Sequence, residues 1–153
     1  MDKNLMMEVF ILSTLKFKNG ELVHISDLLT SLKLSGKASR GRSKLVKLLA
    51  KKEQEYNDDF NEIRKPHILL DDSGQPVIQD DKVQFKTKED RVQVNIELEE
   101  LSNEQAVIDI TEYKEKLDAL YQALDNYPYE LERMNAMAYD TLMDQLEENM
   151  EEE

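Results

Sequence analysis

The chain has 153 residues, 40% of them hydrophobic and 35% charged, with a formal net charge of -13, no cysteine and no tryptophan. That length suits one domain able to bury its own core, and the missing cysteines exclude disulfides, thiolate metal sites and a cysteine nucleophile. The acidic balance opposes general affinity for polyphosphate, and VFIL at 9–12, the longest apolar stretch near the start, is too short for a membrane span and lacks the layout of a secretion signal, so a cytoplasmic protein is expected.

In chain order, EVFILSTLKF at 8–17 is β-branched and apolar and reads as a strand, closed by a turn at Asn19-Gly20. Leu22, Ile25, Leu28, Leu29 and Leu32 recur at helical spacing and predict a short amphipathic helix that stops at Ser35-Gly36, where glycine can close a helix end in the left-handed conformation. A second helix is predicted over about 38–64, capped by Ser39 and ended by Pro66, with Leu45, Leu49, Tyr56, Phe60 and Ile63 on one face and Leu48 and Lys52 beside them. The segment 67–86 carries turn signals at Asp72-Ser73-Gly74 and Pro76 between short β-prone runs, and predicts a small, exposed and mobile hairpin or meander. RVQVNIELEEL at 91–101 fits strand alternation and helical spacing equally. Ala106–Ile110, AVIDI, reads as a buried strand. Thr111 then caps a helix striped by Tyr113, Leu117, Leu120, Tyr121 and Leu124, which Asn126 and Pro128 end. A last helix over about 129–148 places Leu131, Met134, Met137 or Ala138, Leu142 and Leu146 on one face.

Charge is unevenly placed. Lys33 to Lys52 holds eight bases and no acid, which leaves 12 bases against 33 acids for the other 133 positions. Within the second helix the bases come first and the acids EQEYNDDFNE last, an order that opposes the helix dipole. The cost is a few tenths of a kcal/mol per exposed charge, so the order hints at a use for the bases other than helix stability. The last 14 residues carry seven acids and no base.

The order of these pieces resembles a family of small uncharacterised proteins, a domain of unknown function, from tailed bacteriophages and prophages of Gram-positive bacteria. The resemblance lies in a strand leading into KNGELV and in LKLSGKASRGRSKLVKLL. It continues through DDSGQPVIQDDKVQF and ELEELSNEQAVIDI to a helix ending in DNY and a final helix with MAYDTLMDQLEE. It spans nearly the whole chain. It implies a helical ELEEL stretch and a gene setting among tail and lysis genes. The chain departs from it at Gly41, where a bulkier residue is more usual in the family. Read as a residue in the first turn of a helix, that glycine costs about 1 kcal/mol relative to alanine.

The candidate partner-binding residues are Lys37, Arg40, Arg42, Lys44, Lys47 and Lys51, with Lys52 beside them. Arginines and lysines at a helix start suit carboxylate or phosphate, but no aromatic residue interleaves them, which disfavours nucleic acid. The bland reading of the same residues is a solvated face paired with the protein's own acids. Asp71-Asp72 and Asp80-Asp81 lack the alternating ligand spacing of a calcium loop and read as a solvated acidic hairpin. His24 and His67 have no cysteine or carboxylate set for zinc, Ser39 and Ser43 lack a nucleophile elbow, and the four glycines form no phosphate loop. Met134, Met137, Met143 and Met150 at helical spacing read as core and helix end.

The expected fold is α+β and helix-rich: four to five helices with a small sheet from the N-terminal strand and AVIDI, plus a short hairpin at 67–86. Residues 1–146 are expected to form one domain, with 147–153 an acidic disordered tail whose removal costs little. The expected function is a non-enzymatic phage accessory protein acting by protein–protein binding, for instance in tail or virion assembly, without cofactor or metal. The alternative is an acidic, DNA-mimicking inhibitor of a host nuclease or other defence protein. The partner would be a phage tail component or a host defence protein in the host cytoplasm or on the virion. No membrane role is expected, and self-association is compatible with either reading.

Overall fold

The computed structural model describes residues 13–151. Among them are five α-helices and two small antiparallel sheets, a helix-rich α+β fold. Strand β1 (Thr14–Lys18) pairs antiparallel with β4 (Gln105–Asp109), Leu15 opposite Ile108 and Phe17 opposite Ala106. Both strands alternate, so these four side chains share the buried face while Val107 stays 44% exposed. AVIDI is thus a half-buried strand. Of the strand expected over 8–17, residues 8–12 lie outside the described ones.

The helices are α1 (Leu22–Ser31), α2 (Gly36–Arg64), α3 (Lys88–Asn103), α4 (Lys114–Asp125) and α5 (Arg133–Glu151). None is long and apolar enough to cross a membrane. Leu22, Ile25, Leu28 and Leu29 of α1, Leu45 and Leu49 of α2, and Leu117, Leu120 and Leu124 of α4 form one core with Leu142 and Leu146 of α5 and the inner face of the β1–β4 pair. Burial of one such leucine stabilises by about 1.5–3 kcal/mol.

Between α2 and α3, β2 (Ile78–Gln79) and β3 (Lys82–Val83) form a hairpin within the segment where one was expected, but it turns at Asp80-Asp81. The signals at Asp72-Ser73-Gly74 and Pro76 mark instead the neighbouring turn closed by the Leu70 to Pro76 bridge, and the Ile68 to Phe85 bridge completes a meander. Asp80 and Asp81 both have positive φ, 52° and 62°, as a two-residue hairpin turn requires. The acid pair is turn chemistry. The ambiguous 91–101 stretch is helical. Val94 and Leu101 are buried, whereas Val92 and Ile96, which produced the strand-like alternation, face solvent.

Several boundaries differ from the sequence reading. The Asn19-Gly20 turn is a 3-10 turn, and Asn19 ties down α3: its Nδ2 donates to the Leu101 carbonyl at 2.9 Å. Gly36 is left-handed (φ 60°), but it opens α2 and does not close α1, which ends at Ser31. Ser39 does not cap α2. It lies inside the helix, and its hydroxyl accepts from Arg42. Thr111 does not cap α4 either. Its hydroxyl accepts the Ser13 amide at 3.0 Å, and a 3-10 turn separates it from the helix. Helix α5 starts at Arg133, so Leu131 packs from the connection. Ala138 takes the core position, while Met134 and Met137 are 48% and 63% exposed. Of the methionines read as core, Met143 is buried.

Helix α5 also continues past 146, to Glu151. Gln145 and Asn149, one turn apart, lie along the free edge of β1. Gln145 Oε1 accepts the Lys16 amide at 2.7 Å, and buried Asn149 donates to the Thr14 carbonyl at 3.0 Å. Two helix side chains thus do for an edge strand what a third strand would.

Candidate functional site

The bases expected to form the site all lie on the first half of α2, and packing decides their roles. Gly41 is buried where α2 crosses α4. A Cβ there would fall on the Lys116 carbonyl oxygen, with the carbonyl carbon 2.9 Å away. The residue read as a weakness is what lets the two backbones touch. The crossing buries one side of α2 and turns the opposite side to solvent.

Arg42 belongs to the inner side. Its Nη1 donates to the carbonyls of Leu29 (3.0 Å) and Leu32 (2.9 Å), and its Nη2 to Ser39 Oγ (3.1 Å). It satisfies the open Leu32 carbonyl at the end of α1 and adds to the 3.4 Å bond that the Leu29 carbonyl accepts from the Leu32 amide, the task a glycine cap would otherwise share. Arg42 is therefore a structural residue. Lys37 reaches α4, with Nζ 2.7 Å from Glu115 Oε1, and holds that carboxyl below the usual range. Lys44 lies over the Tyr113 ring, 5.4 Å from its centroid. Lys52 pairs with Glu55 at 3.3 Å.

Arg40, Lys47 and Lys51 are exposed and form no ion pair with a described residue. With 3.6 residues per turn, Lys37, Arg40, Lys44, Lys47 and Lys51 recur every three or four positions and share one face. The face presents cations in a row suited to carboxylates. Continuing the same spacing, it runs on through Glu55, Asp58 and Glu62, all exposed. The sequence reading treated the acids only as the other half of the helix. The three-and-four spacing that joins them to the bases was there to be read.

The remaining candidates serve the fold. Asp71 Oδ1 accepts from Ser73 N, Ser73 Oγ and Gln75 N in its turn, and the Ser73 hydroxyl is the main cause of its lowered pKa. His67 Nδ1 donates to Asp90 Oδ1 at 2.6 Å. That contact first, and the Thr87 hydroxyl second, hold the Asp90 carboxyl low at the start of α3. No group of acids and histidines among the described residues is arranged to hold a metal. An apolar cleft of about 360 Å³ lies between the start of α1 and the second half of α2 and is lined by Leu22, Val23, Tyr56 and Phe60 among others. His24 lines a smaller one with Met134 and Met137.

The fold and this face define a helix-rich α+β protein whose distinctive chemistry is a charged helical surface. Over residues 13–153 the chain matches the family described as protein of unknown function (DUF1617), and it belongs to that family. No curated protein and no solved structure matches it.

Proposed function

We propose that this is a non-enzymatic accessory protein that works by binding another protein through the basic face of α2. One observation carries the reading. Arg40, Lys47 and Lys51 stand exposed in a row, without ion pairs to the described residues, on a protein of net charge -13. Nothing in the packing of α2 requires them, and their order opposes the helix dipole. A partner with an acidic surface would neutralise them, with the flanking contacts of Lys37 and Lys44 holding the face rigid. The family resemblance read from the sequence points to tailed phages and prophages. The proposed partner is accordingly a tail or virion-assembly component, met in the host cytoplasm, and the reading needs no cofactor or membrane.

A pull-down of tagged protein from phage-infected cells, with Arg40, Lys47 and Lys51 reversed to glutamate, tests it. Expected is capture of a tail component by the natural chain and its loss in the variant, with an unchanged circular dichroism melt. Equal capture by both would overturn the reading. Arg42 is left intact because it holds α1. The exposed acids of the second half of α2 favour a second reading, the DNA-mimicking inhibitor of a host nuclease. There the triple variant would still capture a nuclease, and substitution of Asp58 and Glu62 would release it.

A further inference from the structure

The solvent face of α2 has a symmetry that binding to an acidic partner does not use. Its stripe reads Arg40, Lys44, Lys47, Lys51, Glu55, Asp58, Glu62. Counted outward from Lys51, the steps are the same in both directions: four residues to Lys47 and to Glu55, seven to Lys44 and to Asp58, eleven to Arg40 and to Glu62. Position is mirrored and charge is inverted. A surface of this kind is complementary to itself when turned end for end about a two-fold axis through Lys51, which is the requirement of a closed dimer interface.

We propose that two copies of this chain pair antiparallel along α2. Lys47 then faces Glu55 of the other copy, Lys44 faces Asp58 and Arg40 faces Glu62, each contact made twice. Six of the seven residues are exposed and Lys44 is half-buried. The two acids with side-chain bonds of their own, Glu55 to Lys52 at 3.3 Å and Asp58 to Gln54 at 2.8 Å, are bonded within the same helix and keep oxygens free on the open side. The arrangement has two repulsive elements: the two Lys51 ammonium groups meet at the axis, and at each end Lys37, fourteen residues from Lys51, faces Lys65 of the other copy, where Lys37 is already paired with Glu115. It also brings together two chains of net charge -13. Contact pairs are screened less than that long-range repulsion, because the screening length is about 10 Å at 0.1 M salt. The pairing competes with an acidic partner for the same cations, yet it does not depend on that partner existing.

Sedimentation equilibrium of the full chain tests it. A concentration-dependent dimer is expected in about 0.1 M salt, and a monomer at about 1 M, where the screening length falls to about 3 Å. Lys47→Glu should weaken the dimer about tenfold or more, since it places like charges opposite each other twice. Combining it with Glu55→Lys should restore the dimer. Combining it with Asp58→Lys, which gives the same net charge in the wrong register, should not. Lys51→Ala should tighten the dimer, whereas it should weaken capture of an acidic partner, so the two proposals fail separately. A chain that stays monomeric at low salt overturns this one. So does a dimer that the two double variants affect equally, or one that Lys51→Ala weakens.

Discussion

Helices α2 and α3 begin in opposite ways. Helix α3 follows the local rules: Thr87 at the cap accepts the Asp90 amide at 3.0 Å, and Glu89 and Asp90 place acids in the first turn, where the dipole favours them. Helix α2 breaks those rules. Ser35 makes no side-chain cap bond, the first turn has no acid, and a glycine sits five residues beyond Gly36. Yet the start of α2 is the more deeply packed of the two, with Gly41, Leu45 and Leu49 buried. The start of α3 is held by residues next to it in the chain and by the single His67 contact to Asp90. That of α2 is held by other helices, through the Gly41 contact with α4 and the Arg42 bonds to α1. A helix anchored in this way can tolerate charges that oppose its dipole, which leaves its outer face available for recognition.

The largest test of that contrast is Gly41→Ala. Helix propensity alone would make alanine stabilising by about 1 kcal/mol. The α2–α4 contact makes it destabilising, by about 3 kcal/mol, as overpacking in a tight site does. A thermal melt decides by sign: a drop of several degrees is expected, and a rise would mean that α2 and α4 can part without cost. Next comes Arg42→Met, which keeps the stem but strands the Leu32 carbonyl and leaves the Leu29 carbonyl only the 3.4 Å bond from the Leu32 amide. A loss of about 1–3 kcal/mol in urea unfolding is expected, against less than about 0.5 kcal/mol for Arg40→Met on the outer face. Equal losses would erase the distinction between the two arginines.

Helix α3 should respond to local changes. Thr87→Ala removes its cap and should lower stability by about 1 kcal/mol, whereas Ser35→Ala, which loses no side-chain cap bond, should change little. The smallest effect is pH-dependent. In the folded protein Asp90 titrates below its ordinary value of 3.8. Its contribution is therefore complete above that value and fades as the pH falls through the lowered one. The melting advantage of the natural chain over Asp90→Asn should persist at neutral pH and shrink as the pH falls below 3.8. An advantage that is constant with pH would show that the His67–Asp90 contact does not depend on the carboxylate charge.

Much of this was legible in sequence. Leucine spacing marks α1 and α4, Pro66 marks the end of α2, and Asp72-Ser73-Gly74 marks the turn ahead of the β2–β3 hairpin, because each signal is local. The site was half legible. The basic run showed that cations gather on α2, but their spacing could not separate Arg42, turned inward to the α1 carbonyls, from Arg40, left in solvent. The same blindness hid Asn149, which reads as part of an acidic tail and is bonded to Thr14 from the far end of the chain.

The sequence by itself determined helices α1, α2 and α4 and the antisymmetric row of charges, since covalent order and a fixed helical repeat suffice for these. Tertiary structure decided which glycine is a contact, which arginine is a cap and which of Met137 and Ala138 enters the core. Each of those depends on what a second segment, distant in the chain, places against it.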